Sequence, residues 1–199
     1  MVLDYEEIFR CFRDELSCPG CVATPDITKK IKRFFQEKYC TACVLPSDKE
    51  KEFLVDILVC TTSPRMLLSG SDERQLSFEA RIAVESELGG EGGGAPNYLA
   101  RNVVEDFAKL LILNCELKIL IFTSLPLSGE ANHLHKRVTD LHSVYLRAGS
   151  PGVILLIHLK GEPKKSQGGF PTNPSVSLQA EDMSAFLFAP EREFQRLQL

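Results

Sequence analysis

The stretch Ile82-Ala83-Val84-Glu85-Ser86-Glu87-Leu88 carries most of the information on the fold and on the function. Its apolar first half predicts a buried strand, and the side chains of a strand alternate between the two faces of a sheet. Glu85 and Glu87 should therefore project from the same face. Two neighbouring carboxylates repel each other and are costly to desolvate. A divalent cation would offset that cost, because hard cations prefer oxygen ligands.

A third carboxylate lies in another apolar run, Phe53-Leu54-Val55-Asp56-Ile57-Leu58-Val59. An acid in the middle of an apolar strand is unusual unless its charge is used. Asp56, Glu85 and Glu87 together indicate a metal site at the edge of a small sheet. The alternative for Glu85-Ser86-Glu87 is a strand end that faces solvent. The apolar residues around all three acids favour the metal site.

Size and composition describe an ordinary globular protein. The chain has 199 residues, of which 44% are hydrophobic and 25% are charged, and we expect a single domain over residues 1–199. No apolar run approaches the roughly 20 residues of a membrane span, and Leu3 to Leu16 is too charged for a signal peptide. We therefore expect a cytoplasmic protein without a membrane partner. A net charge of −4 gives no general attraction to nucleic acid, but it allows a local site.

Periodicity predicts alternating helices and strands. We expect helices over Leu3 to Leu16, from Thr24 to Tyr39, over Asn97 to Asn114, and over Ala131 to Ala148 with Gly149 as its C-cap. We expect strands over Tyr39 to Leu45, Glu52 to Thr61, Phe78 to Leu88, Leu117 to Phe122, Val153 to Leu159 and Met183 to Ala189. Gly161 to Pro174 resembles a mobile loop, and the C-terminal end a helical or frayed segment.

This order predicts a mixed α/β fold. The first three strands should form an antiparallel meander, and the later strands should be parallel because helices connect them. Helices should cover both faces of the central sheet.

Seven cysteines suggest a reducing compartment rather than a disulfide framework. Cys18 and Cys21 form one CxxC pair and Cys40 and Cys43 a second, at a spacing found in four-cysteine zinc sites. Cys40 and Cys43 lie in a predicted strand, where residues three apart point to opposite faces. Structural Zn²⁺ is therefore an alternative, and buried free thiols are favoured.

The stretch from Leu3 to Thr123 resembles the restriction-endonuclease-like core of the PD-(D/E)XK nuclease superfamily. That core runs α-β-β-β-α-β, with an Asp on its second strand and a (D/E)-x-K triplet on its third. Asp56 occupies the position of that Asp, and Glu85-Ser86-Glu87 occupies the triplet. Glu87 stands where the family usually has Lys, and a minority of members have Glu there. Residues after Thr123 would form a C-terminal α-β-β extension.

The resemblance implies a Mg²⁺ or Mn²⁺ centre with catalytic carboxylates. Asp56 and Glu85 would bind the metal, and the Ser86 carbonyl would complete its coordination. Glu87 would bind a second ion or deprotonate the attacking water. Lys109 and Lys118 are candidates to replace the triplet lysine. Helical geometry predicts that Lys109 faces solvent beside Glu105, and Lys118 should also be exposed.

The expected function is metal-dependent hydrolysis of phosphodiester bonds in nucleic acid, and a DNA endonuclease is the favoured form of this activity. A homodimer would suit an enzyme that cuts both strands. A noncatalytic binding or assembly module on the same fold is the alternative, and a zinc-stabilised interaction protein is a third. No side chain can be assigned to a base edge, so RNA and sequence specificity both stay open.

Overall fold

The computed structural model describes residues 4–18, 21–22, 24–47, 51–64, 66, 78–89, 95–165, 171–190 and 192–198. Within these residues the helices are α1 (Tyr5–Leu16), α2 (Thr24–Lys38), α3 (Pro96–Ile112) and α4 (His133–Ala148). The strands are β1 (Cys21–Val22), β2 (Cys43–Leu45), β3 (Ile57–Cys60), β4 (Ala80–Glu87), β5 (Leu117–Ser124), β6 (Val153–Lys165), β7 (Pro171–Ser177), β8 (Met183–Phe188) and β9 (Gln195–Leu197).

All four predicted helices are present, and their ends have local causes. Asp4 caps α1 by accepting hydrogen bonds from the Glu6 and Glu7 amides at 3.1 and 3.0 Å. Pro96 lies in the first turn of α3, where its missing N–H costs nothing. Gly149 ends α4 with φ 57°, in the left-handed region that glycine adopts without strain. The predicted C-cap at Gly149 is therefore confirmed.

One mixed sheet connects the described strands in the order β1-β7-β6-β5-β4-β3-β2, with β8 beside β6 and β9 beside β8. Strands β2, β3 and β4 are antiparallel, whereas β4, β5 and β6 are parallel. Helix α3 connects β4 to β5, and α4 connects β5 to β6. The predicted mixed α/β fold, with a meander followed by parallel crossovers, is confirmed.

The sheet separates two apolar cores. Alternate residues of each strand face opposite cores, so Val84 packs with α1 and α2 while Ala83 packs with α3 and α4. All eight residues of β5 are buried, as expected for a central parallel strand with helices on both faces. Helices on both faces of the sheet were predicted and are confirmed.

Several predicted boundaries, one loop prediction and the prediction for the C-terminal end are wrong. Tyr39 extends the end of α2, since its amide donates to the Phe35 carbonyl at 3.0 Å, and the strand begins only at Cys43. The loop predicted over Gly161 to Pro174 lies partly in β6 and partly in β7, whose backbones pair from Gly161↔Val176 to Lys165↔Pro171. The C-terminal end forms β9, which pairs with β8.

Candidate metal centre

Strands β3 and β4 bring the predicted site residues to one end of the sheet. Ile57 pairs with Val84, and Asp56 directly precedes Ile57. Continuing the antiparallel register by one residue places Asp56 opposite Glu85. The sequence prediction that these two acids meet on neighbouring strands is consistent with this register.

Asp56 contacts the triplet directly. One carboxylate oxygen, Oδ2, accepts hydrogen bonds from both the Ser86 amide and the Ser86 hydroxyl, each at 2.8 Å. Two donors on one oxygen fix the direction of the Asp56 side chain. The contact uses Ser86 as a donor, so metal binding by its carbonyl oxygen stays a prediction.

Glu85 is the buried acid of the site. Its side chain points toward α3 and the residue is only 2% exposed, so it is not at a solvent-facing strand end. Oε1 has no hydrogen-bond partner among the described residues. Burial, followed by the negative charges of Asp56 and Asp106, raises the pKa of Glu85 to about 7. A buried carboxylate with an unsatisfied oxygen is the kind of group that a cation stabilises.

Lys109 provides positive charge at this position. Its ammonium lies 2.7 Å from Asp106 Oδ1 and 3.3 Å from Glu85 Oε1. The contact to Glu85 is an ion pair without hydrogen-bond geometry. The prediction that Lys109 faces solvent is confirmed in part, since its side chain is half-exposed. The predicted partner is wrong, because Glu105 pairs with Arg101 at 2.8 Å instead. These two carboxylates raise the pKa of Lys109, so it stays protonated.

Glu87 adopts a different arrangement from Glu85. Its Oε1 accepts a hydrogen bond from the Gly89 amide at 2.7 Å, and the side chain is half-buried. Among the residues given above as described, no group of three or more His, Cys, Asp or Glu side chains is arranged to hold a metal ion. Joint ligation of a metal by Asp56, Glu85 and Glu87 therefore stays a prediction.

Two further contacts near the site were not foreseen. Asp106 lies three residues before Lys109 on α3, a spacing that could have indicated their ion pair. Lys118, predicted to be exposed, is fully buried: its ammonium donates to Ser150 Oγ at 2.6 Å and to the Pro151 carbonyl at 2.7 Å. Lys118 therefore joins the start of β5 to the turn before β6 and does not contact Glu85 in this arrangement.

A buried serine and histidine pair lies on β5 and β6, toward the same end of the parallel strands as the candidate metal centre. Glu87 of β4 pairs with Phe122 of β5, and Phe122 pairs with His158 of β6. Ser124 Oγ is 2.9 Å from His158 Nε2, and both residues are buried. Burial, with a smaller effect of His133, lowers the pKa of His158 to about 3, so the ring is neutral at physiological pH. The residues are 34 positions apart, and no local sequence signal links them.

Within the described residues, the paired cysteines are not arranged as a zinc site. Cys18, Cys40 and Cys43 are in no disulfide within the described residues, and the side chain of Cys21 lies outside them. Cys43 is in β2, opposite Cys60 of β3, and the Cys60 thiol contacts the Cys43 carbonyl at 3.6 Å. Structural Zn²⁺ at Cys18, Cys21, Cys40 and Cys43 stays the less favoured prediction.

Comparisons with known proteins found no matching family model, no matching curated protein and no matching solved structure. The resemblance to PD-(D/E)XK nucleases therefore depends on the residues and on the order of the elements. In the described part of the chain, every helix is too short or too polar to cross a membrane.

Proposed function

We propose that the chain is a metal-dependent nuclease that hydrolyses phosphodiester bonds in nucleic acid, with DNA as the first substrate to test. One observation carries the proposal: the Glu85 carboxylate is 2% exposed, its Oε1 has no hydrogen-bond partner among the described residues, and Asp56 is close enough to raise its pKa. Mg²⁺ or Mn²⁺ would satisfy this oxygen and reduce the repulsion between the two acids.

The order of elements supports the same proposal. From α2 to β5 the chain runs helix, three antiparallel strands, helix and parallel strand. The α-β-β-β-α-β order of the PD-(D/E)XK core is the same. Asp56 precedes the second of those strands and Glu85 lies near the end of the third. Asp56 and Glu85, which the resemblance matches to the two parts of the family motif, are therefore on neighbouring strands, and this supports the proposal.

Each residue has a separate part in the proposed site. Asp56 and Glu85 would hold the cation, and Ser86 orients Asp56 through two hydrogen bonds. The bound cation would neutralise charge on the phosphate and lower the pKa of an attacking water. Lys109 places an ammonium beside Glu85, which compensates for Glu87 at the usual lysine position. Glu87 would accept a proton from the attacking water.

A cleavage assay with titrated Mg²⁺ and Mn²⁺, on plasmid DNA and on RNA, tests the proposal. We expect Glu85→Gln and Asp56→Asn each to reduce cleavage about 100-fold or more, as loss of a metal ligand should. Glu105→Gln is the matched control, because Glu105 is an exposed acid that pairs with Arg101 on the outer surface of α3. Full cleavage by both site variants, or no cleavage by the wild type with either metal, would refute the proposed nuclease activity.

Lys109→Met separates two roles for the lysine. If Lys109 stabilises charge during the reaction, we expect about a 100-fold loss of cleavage with Mn²⁺ binding unchanged or tighter, since a competing cation is removed. Arg101→Met on the same helix is the control for lost positive charge. Unchanged cleavage by Lys109→Met would remove Lys109 from the proposed chemistry without affecting Asp56 and Glu85.

A noncatalytic binding or assembly module is the second candidate, and one observation favours it. Asp56 Oδ2 already accepts two hydrogen bonds within the protein, and Lys109 already lies beside Glu85. Such contacts can be purely structural. This candidate predicts no cleavage with any metal. Calorimetric Mn²⁺ binding that disappears in Glu85→Gln would contradict it.

A further inference from the structure

Two cysteines lie directly opposite each other on neighbouring antiparallel strands. Cys43 is the first residue of β2 and Cys60 is the last residue of β3, and the register pairs their Cα atoms. Directly opposite residues of an antiparallel pair have Cα atoms about 4.5–5.5 Å apart, whichever of the two hydrogen-bonding patterns they follow. A disulfide requires a Cα separation of roughly 4.4–6.8 Å. The backbone therefore allows a bond between these two residues without a change of register.

The two side chains are on the same face of the sheet. Opposite residues of a strand pair project to the same side, and both cysteines pack in the apolar core that α3 and α4 cover. The Cys60 thiol reaches the opposite strand, since its Sγ donates to the Cys43 carbonyl at 3.6 Å. The Cβ atoms of opposite residues are about 4.5–5.5 Å apart and those of a disulfide about 3.8 Å, so the strands must approach by about 1 Å.

Strand β2 can make this adjustment because it is short and lies at one end of the sheet. It has three residues, and in the described part of the chain β3 is the strand that pairs with it. The ladder between β3 and β4 shifts its register between Val59 and Cys60, so the backbone beside Cys60 is already irregular. A small movement of β2 toward β3 therefore disturbs no other described strand pair.

The two thiols differ in their access to a reagent. Cys43 is half-buried and lines a cleft of about 410 Å³ together with Gln36, Cys40 and Val44. That volume is within the range of small-molecule sites. Cys60 is fully buried. A small oxidant would reach Cys43 first, and Cys60 would then act from the core side as the resolving thiol, an arrangement that is common in redox-sensing pairs.

We propose that Cys43 and Cys60 are a site of reversible oxidation, at which a low-molecular-weight disulfide such as oxidised glutathione converts the two thiols to a cross-strand disulfide. The Cys43 thiolate attacks one sulfur of oxidised glutathione and releases the first glutathione thiolate. Cys60 then loses its proton and attacks the Cys43 sulfur of the mixed disulfide, which releases the second. Two protein thiols are oxidised, and one glutathione disulfide is reduced to two thiols.

This site is separate from the candidate metal centre. Cys60 is the last residue of β3, whereas Asp56 directly precedes the first. The proposal therefore does not depend on the proposed function, and a chain without nuclease activity would give the same result in the test.

Peptide mapping of the folded wild-type chain tests the bond. The protein is incubated with reduced or with oxidised glutathione, its remaining thiols are alkylated in denaturant, and it is digested with trypsin. Lys49 and Lys51 lie between the two cysteines, so trypsin separates them unless they are bonded. We expect a linked peptide pair, two hydrogen atoms lighter than the separate peptides, with oxidised glutathione and none with the reduced form. Cys115, a buried cysteine of the same core, is the internal control and should stay reduced.

Cys40 is the competing partner, because it is exposed and lies on the same tryptic peptide as Cys43. Cys40→Ser should keep the linked pair, and Cys43→Ser should abolish it. In Cys60→Ala the reaction should stop at the mixed disulfide, so Cys43 should carry one glutathione. No glutathione on Cys43 in that variant would show that Cys43 is not the attacking thiol.

The stability of the oxidised wild type shows whether the bond forms in the folded sheet. The bond closes a loop of about 17 residues, so oxidation should raise the urea midpoint of unfolding by about 1 M. An unchanged or lower midpoint would contradict a bond in the native register. Absence of the linked pair in the wild type, its loss in Cys40→Ser, or a glutathione adduct as the final product of the wild type would each overturn the proposal.

Discussion

Substitution of the buried His158 by Gln should change how stability depends on pH. His158 is 4% exposed and its imidazole contacts Ser124, and burial lowers its pKa from 6.5 to about 3. The unfolded chain binds this proton near pH 6.5, but the folded chain does not. The contribution of His158 to stability is therefore fully present above pH 6.5, and it is lost as the pH falls from there toward 3.

The size of the effect follows from the two pKa values. Between pH 7.5 and pH 5, protonation of His158 in the unfolded chain should cost the fold about 2 kcal/mol. Glu85 acts in the opposite direction, because its pKa is raised from 4.5 to about 7. Its contribution is present below pH 4.5 and is lost as the pH rises through 7, which is again about 2 kcal/mol over the same interval. The two effects should nearly cancel in the wild type.

Urea unfolding, followed by circular dichroism at pH 7.5 and pH 5 in EDTA, measures the effects of His158 and of Glu85 on the free energy of unfolding. We expect His158→Gln to become about 2 kcal/mol more stable relative to the wild type on going from pH 7.5 to 5, and Glu85→Gln to become less stable by a similar amount. Gln keeps a polar group beside Ser124 but does not titrate. If the difference between His158→Gln and the wild type is the same at both pH values, the depressed pKa of His158 is wrong.

Three further substitutions, at Lys118, Gly152 and Tyr145, should lower stability because each residue lies in or contacts the turn between α4 and β6. Lys118→Ala should cost about 3 kcal/mol by leaving a cavity and unpaired acceptors, whereas Lys118→Met should cost about 1 kcal/mol; urea unfolding will distinguish them. Gly152→Ala should cost about 2 kcal/mol in the same measurement, because its φ is +81° and an added Cβ would lie 2.8 Å from the Cys115 carbonyl oxygen. The control Gly129→Ala, with φ +76° and open space, should cost about 1 kcal/mol, and equal losses would contradict the clash. Tyr145→Phe removes a 2.8 Å hydrogen bond to the Gly152 carbonyl and should lower the free energy of unfolding by about 1 kcal/mol. An unchanged free energy of unfolding would show that water replaces the bond.

The helices and strands whose apolar residues follow a clear pattern could be predicted from the sequence. The apolar stripes of α1 and α3 and the continuous apolar run of β5 correspond to the elements found. Strand β7 could not be predicted, because it begins with Pro-Thr-Asn-Pro and that composition is typical of loops. Its pairing comes from the backbone of β6, which contributes hydrogen bonds regardless of side-chain type.

The candidate site was predicted in part. Strand pairing brings Asp56 to the triplet, as the pattern indicated, because both residues belong to neighbouring strands. The ion-pair partners of Lys109 were predicted wrongly because a helical angle locates the Cα atom, while a long, half-exposed side chain can still reach back toward the sheet. Lys118 was expected at the surface because it is a lysine near the start of a predicted strand. Its two acceptors come from a turn more than 30 residues away, which no local pattern reveals.

The charges around Glu85 explain why this position would favour a cation. Lys109 lies 3.3 Å from its carboxylate, a distance at which an ion pair is worth about 5 kcal/mol at an effective dielectric constant of roughly 20. The pKa of Glu85 is nevertheless raised, because burial and the charges of Asp56 and Asp106 together outweigh that attraction. Lys109 is also half-exposed and lies closer to Asp106, at 2.7 Å, so its ion pair with Asp106 weakens its effect on Glu85. Glu85 and Asp106 share one ammonium, and Asp56 adds a further negative charge that acts on Glu85. An additional positive charge beside Glu85 would therefore be stabilised even with Lys109 in place.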